Sequence, residues 1–133
     1  MRLTVHRRNR LTLLERLTAD DVLLVPQIFR DKRIQLFREV AGDERHARLE
    51  INALVQRVIV TNDRRKAAEE LTGRWSQLTG DEFLQSPYVL IGNTEQIIED
   101  LESRRARWGI SYYTIREADI DIVAPVVAHL AGK

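Results

Sequence analysis

Three short stretches of this chain hold residues that suit ligand chemistry. Gly92-Asn93-Thr94 closes an apolar run and opens a helical pattern. Free backbone N–H groups at such a helix start hold a phosphate or a carboxylate. The same residues also serve as an ordinary cap, Asn93 or Thr94 accepting an N–H and Glu95 complementing the helix dipole. Glu95 and Glu99 make the area less welcoming to an anion, so capping is the preferred reading. Tyr112-Tyr113-Thr114 lies in a strand-like segment, so Tyr112 and Thr114 share one face and Tyr113 takes the other. One tyrosine can line a ligand cleft, although packing under a helix explains an aromatic there more simply. Arg116 follows the segment as an anion contact, or as an ion-pair partner for Glu117 or Asp119.

The remaining inventory excludes several chemistries. There is no Cys for a thiolate ligand, a disulfide or a nucleophile. His6, His46 and His129 lie far apart without metal-ligand spacing, so no metal is expected. Ser76, Ser86, Ser103 and Ser111 stand outside any nucleophile-elbow sequence, and no catalytic residue is assigned. With 21 Lys and Arg against 20 Asp and Glu, the net charge of +1 gives no general case for nucleic acid. The longest apolar run, residues 122–128, falls short of the ~18 residues of a membrane span, so a soluble cytoplasmic protein is expected.

The 133 residues suit one domain with a real core. Residues 1–20 read as a basic, solubilising arm carrying a short helix around Leu11, Leu14 and Leu17, and residues 21–133 as the domain proper. Within the domain, residues 22–25 before Pro26 read as a short strand. Residues 30–41 read as a helix with Ile34, Phe37, Val40 and Ala41 inward, stopped by Gly42. Residues 49–61 form the clearest strand. Leu49, Ile51, Ala53, Val55 and Ile59 share one nearly all-apolar face, whereas Glu50, Asn52 and Gln56 fall on the other. Those three polar residues line either an interior cluster or, preferably, a solvated or dimer-facing surface.

A helix then follows the cap candidates Asn62-Asp63, with Ala67, Ala68, Leu71 and Trp75 inward. Thr79-Gly-Asp-Glu82 has capping-box spacing for a one-turn helix that Ser86-Pro87 ends. Residues 88–91 form a strand, residues 94–108 a helix stopped by Gly109, and residues 110–115 a strand. The last helix covers residues 118–131, with Ile122, Val123, Val126, Val127 and Leu130 inward and Pro125 near its first turn. Strands alternating with helices are the pattern of an α/β fold with a parallel sheet, here four βα units.

The stretch Ser86-Pro-Tyr-Val-Leu-Ile-Gly-Asn-Thr-Glu-Gln-Ile-Ile-Glu-Asp-Leu101, with Arg104-Arg-Ala-Arg-Trp-Gly-Ile-Ser-Tyr-Tyr-Thr114, resembles the C-terminal end of luciferase-like oxidoreductases. The likeness is to the branch that uses a deazaflavin coenzyme, and it spans roughly residues 49–130. It implies a (β/α)₈ barrel, an architecture of ~250 residues. Four units make half of one, so the resemblance implies a member lacking the N-terminal units. It further implies deazaflavin coenzyme or FMN, with Gly92, Asn93, Thr94, Tyr112 and Arg116 as the contacts, and hydride transfer once the barrel is complete. An uncovered half barrel leaves edges and one face open, which a homodimer or higher oligomer would close; the alternative is a cover formed by the first ~45 residues, with the helix around Leu11–Leu17. The alternatives are a non-catalytic, self-associating or accessory protein, and a binder of small anions at residues 92–94.

Overall fold

The computed structural model describes residues 2–6, 31–72 and 78–131. The expected helix at Leu11–Leu17, the strand at residues 22–25 and Trp75 lie outside them. In chain order the elements are β1 (Arg2–His6), α1 (Asp31–Ala41), α2 (Asp43–His46), β2 (Ile51–Leu54), β3 (Arg57–Val60) and α3 (Arg64–Thr72). They continue with α4 (Gly80–Gln85), β4 (Val89–Gly92), α5 (Thr94–Trp108), β5 (Ile110–Arg116), a 3₁₀ turn (Glu117–Asp119) and α6 (Ile120–Leu130).

Every strand pair is parallel, in two sheets of order β1-β5-β2 and β3-β4. The expected strand at residues 49–61 is what joins them. Only Val55 and Gln56 separate β2 from β3, and their N–H groups point to different neighbours. Val55 donates to the Thr114 carbonyl at 2.8 Å, and Gln56 donates to the Tyr88 carbonyl at 2.7 Å. The chain thus exchanges β5 for β4 as its partner at one peptide step. Its side-chain phase slips there too. Ile51, Ala53 and Val55 pack in one core, Val58 returns to that core, and Ile59 packs in another. The single apolar face expected over residues 49–61 is therefore divided, and Leu49 is 40% exposed.

Four successive barrel rungs would set residues 88–91 beside residues 110–115. Instead β5 lies between β1 and β2, and β4 lies on β3, so the described strands close no barrel. The fold is α/β with short parallel pairs and six helices among the described residues. The opening segment also differs from the expected arm, because Arg2–His6 pairs with Tyr112–Arg116 residue for residue. Leu3 and Val5 alternating with polar neighbours are a strand pattern that the arginine count concealed.

The larger core sets Ala53, Val55, Leu90, Tyr113 and Ile115 under Ile97, Leu101 and Trp108 of α5 and Val123, Val126 and Leu130 of α6. The smaller joins Val89 and Ile91 of β4 to Ala68 of α3 and Phe83 of α4. Alternate residues of β4 serve different cores, which is why its four residues are all buried and read as an unbroken apolar run. The helix ends follow the expected chemistry. Thr79 and Glu82 form a reciprocal capping box, and Gly109 ends α5 in the left-handed region at φ 72°.

Two expected helical faces are narrower than their periodicity implies. Of the α1 set, only Ile34 packs on the larger core, while Phe37 and Val40 are 44% and 80% exposed. In α6, Ile122 is 45% exposed because the helix starts after the 3₁₀ turn, and Pro125 falls in its second turn. A Cβ on Gly109 would meet only Ile51 Cδ1, at 3.6 Å, so its substitution costs backbone conformation and no packing. We expect Gly109→Ala to lower the unfolding free energy by about 1 kcal/mol. Urea titration checks this as a lower midpoint at unchanged slope.

Candidate functional site

The sheet β1-β5-β2 has two unlike faces. Ala53, Val55, Tyr113 and Ile115 are sealed beneath α5 and α6, each at most 1% exposed. On the other side stand Asn52, Leu54, Tyr112 and Thr114, exposed or half-buried. Parallel register sets Asn52 level with Tyr112 and Leu54 level with Thr114. Asn52 Nδ2 donates to Thr114 Oγ1 at 3.2 Å and to the Tyr112 carbonyl at 3.4 Å. A bridge between side chains of adjacent strands fixes both rotamers on a surface that no described helix covers. Its amide, hydroxyl and phenol groups can hydrogen-bond a planar polar ligand; none is a strong acid or base near neutral pH. Glu50 is exposed beside this face, while Gln56 is half-buried at the partner switch.

Tyr112 and Thr114 therefore share a face, as the alternation requires, and Tyr113 is packed under α6. Arg116 is exposed at the end of β5, leading into the 3₁₀ turn. Gly92-Asn93-Thr94 is elsewhere. Tyr112 is level with Asn52, and Gly92 is level with Val60, eight positions further along the same chain. The five expected coenzyme contacts therefore fall on two strand pairs, Tyr112 and Arg116 with β5 and Gly92, Asn93 and Thr94 at the end of β4.

The start of α5 is a closed cap. The Asn93 side chain accepts the Gln96 N–H at 2.9 Å, and Gln96 Oε1 accepts the Asn93 N–H at 3.0 Å. Gly92 has φ 145°, and a Cβ there would lie 2.7 Å from Gln96 Oε1, so this cap requires glycine. The Gly92 carbonyl in turn accepts the Thr61 N–H at 3.0 Å. Asn93 is thus spent on capping.

A buried charge ties the two cores together. Arg104 is 5% exposed and donates to the Val89 carbonyl at 3.1 Å and the Leu84 carbonyl at 3.2 Å. Asp100, one turn earlier, lies 3.9 Å from Arg104 and is paired with Arg64 of α3. Burial lowers the Arg104 pKa from its ordinary value, with Tyr113 and Asp100 opposing that shift. The guanidinium pins the turn between α4 and β4 against α5. Tyr113 Oη, also buried, has no hydrogen-bond partner among the described residues, and burial pushes the phenol up to about 12.

Sequence reasoning passed over Arg104, yet the signal was present: Ile97, Leu101, Arg104 and Trp108 recur at helical spacing on one stripe. Among the described residues, no group of three or more His, Cys, Asp or Glu is placed to hold a metal ion. None of their helices is long and apolar enough to cross a membrane. Comparison with protein-family models, with curated proteins and with solved structures returns no match.

Removing an unpartnered buried hydroxyl removes a desolvation cost without breaking a bond. Tyr113→Phe should therefore leave stability at pH 7 unchanged or raise it by about 1 kcal/mol in denaturant titration. A phenol whose pKa is raised by folding contributes stability that is present below pH ~10 and lost as the pH rises through the folded value. The wild type should thus lose more stability than the variant between pH ~10 and ~12. Tyr88, raised to about 12 by burial, supplies a loss common to both.

Proposed function

We propose that the chain is a partial relative of luciferase-like oxidoreductases, with the β1-β5-β2 sheet as a segment of barrel wall. On this reading the open face of Asn52, Tyr112 and Thr114 is the inner surface of that wall. It receives the deazaflavin coenzyme or FMN, and a second copy of the chain closes the remainder. The observation that carries the reading is the asymmetry of the sheet: one face is sealed by helices, and the other presents a hydrogen-bonded polar pair with an aromatic beside it. The resemblance over residues 86–101 and 104–114 supplies the coenzyme class. The coenzyme would carry the hydride, and the chain's own groups would orient its ring by hydrogen bonds.

The closed cap at Asn93 favours a second reading, a non-catalytic accessory protein that uses the same face for self-association. The two are separated by titrating the purified protein with deazaflavin coenzyme and with FMN, following visible absorbance and thermal shift, beside sedimentation. The coenzyme reading expects saturable binding that weakens at least tenfold in Thr114→Val, whose fold is otherwise kept. A stable dimer with no response to either molecule supports the accessory reading. A 15.5 kDa monomer with no response overturns both.

A further inference from the structure

We propose that α1 and α2 form a hinged strap, held on the end of α5 by the Asp31 carboxylate and released as a unit when that carboxylate loses its partners. Asp31 stands in the first turn of α1 and receives three hydrogen bonds from the last turn of α5. Arg107 Nε donates to Oδ1 at 2.9 Å, Arg107 Nη2 to Oδ2 at 2.7 Å, and Trp108 Nε1 to Oδ1 at 3.2 Å. The Arg107 guanidinium also sits over the Trp108 ring, 5.4 Å from its centroid. One carboxylate thus meets a fork of two donors and an indole, a geometry that holds both helix ends in one orientation.

Among the described residues, little else fastens the strap. Ile34 is the one described residue of α1 packed on the larger core, and it is only partly buried. Leu36, Phe37 and Val40 are exposed, and among the described elements α1 packs chiefly on α2, where Phe37 meets the His46 ring edge-on at 5.9 Å. The link from α2 to β2, residues 47–50, is exposed throughout. A helix pair that packs on itself, tied to the body by an ion pair and one aliphatic side chain, opens at lower free energy than the core it covers. A groove of about 610 Å³ is lined by Asp31, Ile34 and Arg38 of α1, Asp43 of α2 and Arg107 of α5. Opening widens it and bares the Trp108 indole, which is 8% exposed when the strap is shut.

The charged groups beside the latch set its response. Arg107 faces Asp31 from α5, while Arg38 and Glu39 of α1 and Asp43 of α2 line the same groove. The bonds from Arg107 and then Trp108 hold the Asp31 carboxyl below its ordinary pKa. The latch is therefore present above the ordinary carboxylate range and lost as the pH falls through the lowered value. Because Asp31 and Arg107 are exposed, salt also weakens it.

The test uses the full chain with Trp75→Phe, leaving Trp108 as its one tryptophan, and compares it with the same chain carrying Asp31→Asn. The proposal expects iodide quenching of Trp108 to at least double in the variant, with circular dichroism unchanged at pH 7. Concentrated sodium chloride should raise quenching in the parent and little in the variant. Amide exchange by mass spectrometry, on chains keeping Trp75, supplies a second readout. Asp31→Asn and Arg107→Gln should each speed exchange across residues 31–46 at least tenfold, leave β4 and β5 unchanged, and show no added effect when combined. Unchanged quenching and exchange, or acceleration of β4 and β5 together with residues 31–46, would overturn it.

Discussion

The structure depends on one step of backbone, the peptide between Val55 and Gln56. Two successive N–H groups bond there to carbonyls of two different strands, Thr114 on one side and Tyr88 on the other. Before that step the chain belongs to the sheet with β5, and after it to the sheet with β4. The larger core lies on both sides of the exchange, and the smaller begins just past it. A two-stranded parallel pair is marginal by itself. Sharing a continuous chain with a three-stranded sheet lets β3 and β4 borrow its rigidity, and Arg104 reinforces the junction from the helical side.

Much of this was legible in the sequence, for stated physical reasons. Residues 94–108 form a helix because the apolar stripe, the Asn93 cap and the Gly109 stop agree on the same ends. Thr79 and Glu82 announced their capping box by spacing alone. The strand segments at residues 88–91 and 110–115 are legible because apolar runs there meet turn residues. What the pattern could not give is which strands are neighbours, since pairing is a matter of three-dimensional placement. Counting βα units therefore implied successive rungs, while the chain sets β5 against β1 and β2. Nor can a period-two pattern show a phase slip, which is why Ile59 was placed with Ile51 although they serve different cores. The candidate site fared similarly. Alternation put Tyr112 and Thr114 together correctly, but the pairing of Gly92 with β3 and of Tyr112 with β2 depends on strand placement, which no local motif encodes.

The placement of polar groups follows the same division of labour. Where helices cover the sheet, the polar groups inside include the Arg104 guanidinium, bonded to two backbone carbonyls, and the Tyr113 hydroxyl. Where no described helix covers it, Asn52 and Thr114 bond to each other across strands and leave hydrogen-bonding capacity facing outward. Asp31 does for the outer helix pair what Arg104 does for the inner layers, with a difference in setting. Arg104 is buried and fixed, whereas the Asp31 carboxylate is open to solvent and to ions.

The shared strand is tested most directly by native-state amide exchange, resolved at Val55 and Gln56 by NMR across a series of low urea concentrations. If that step unites the two sheets, both amides exchange only through global unfolding, with the same free energy and the same urea dependence as amides in β4 and β5. If Gln56 and β4 exchange through a smaller opening while Val55 and β5 stay protected, the sheets are separate units and the account fails.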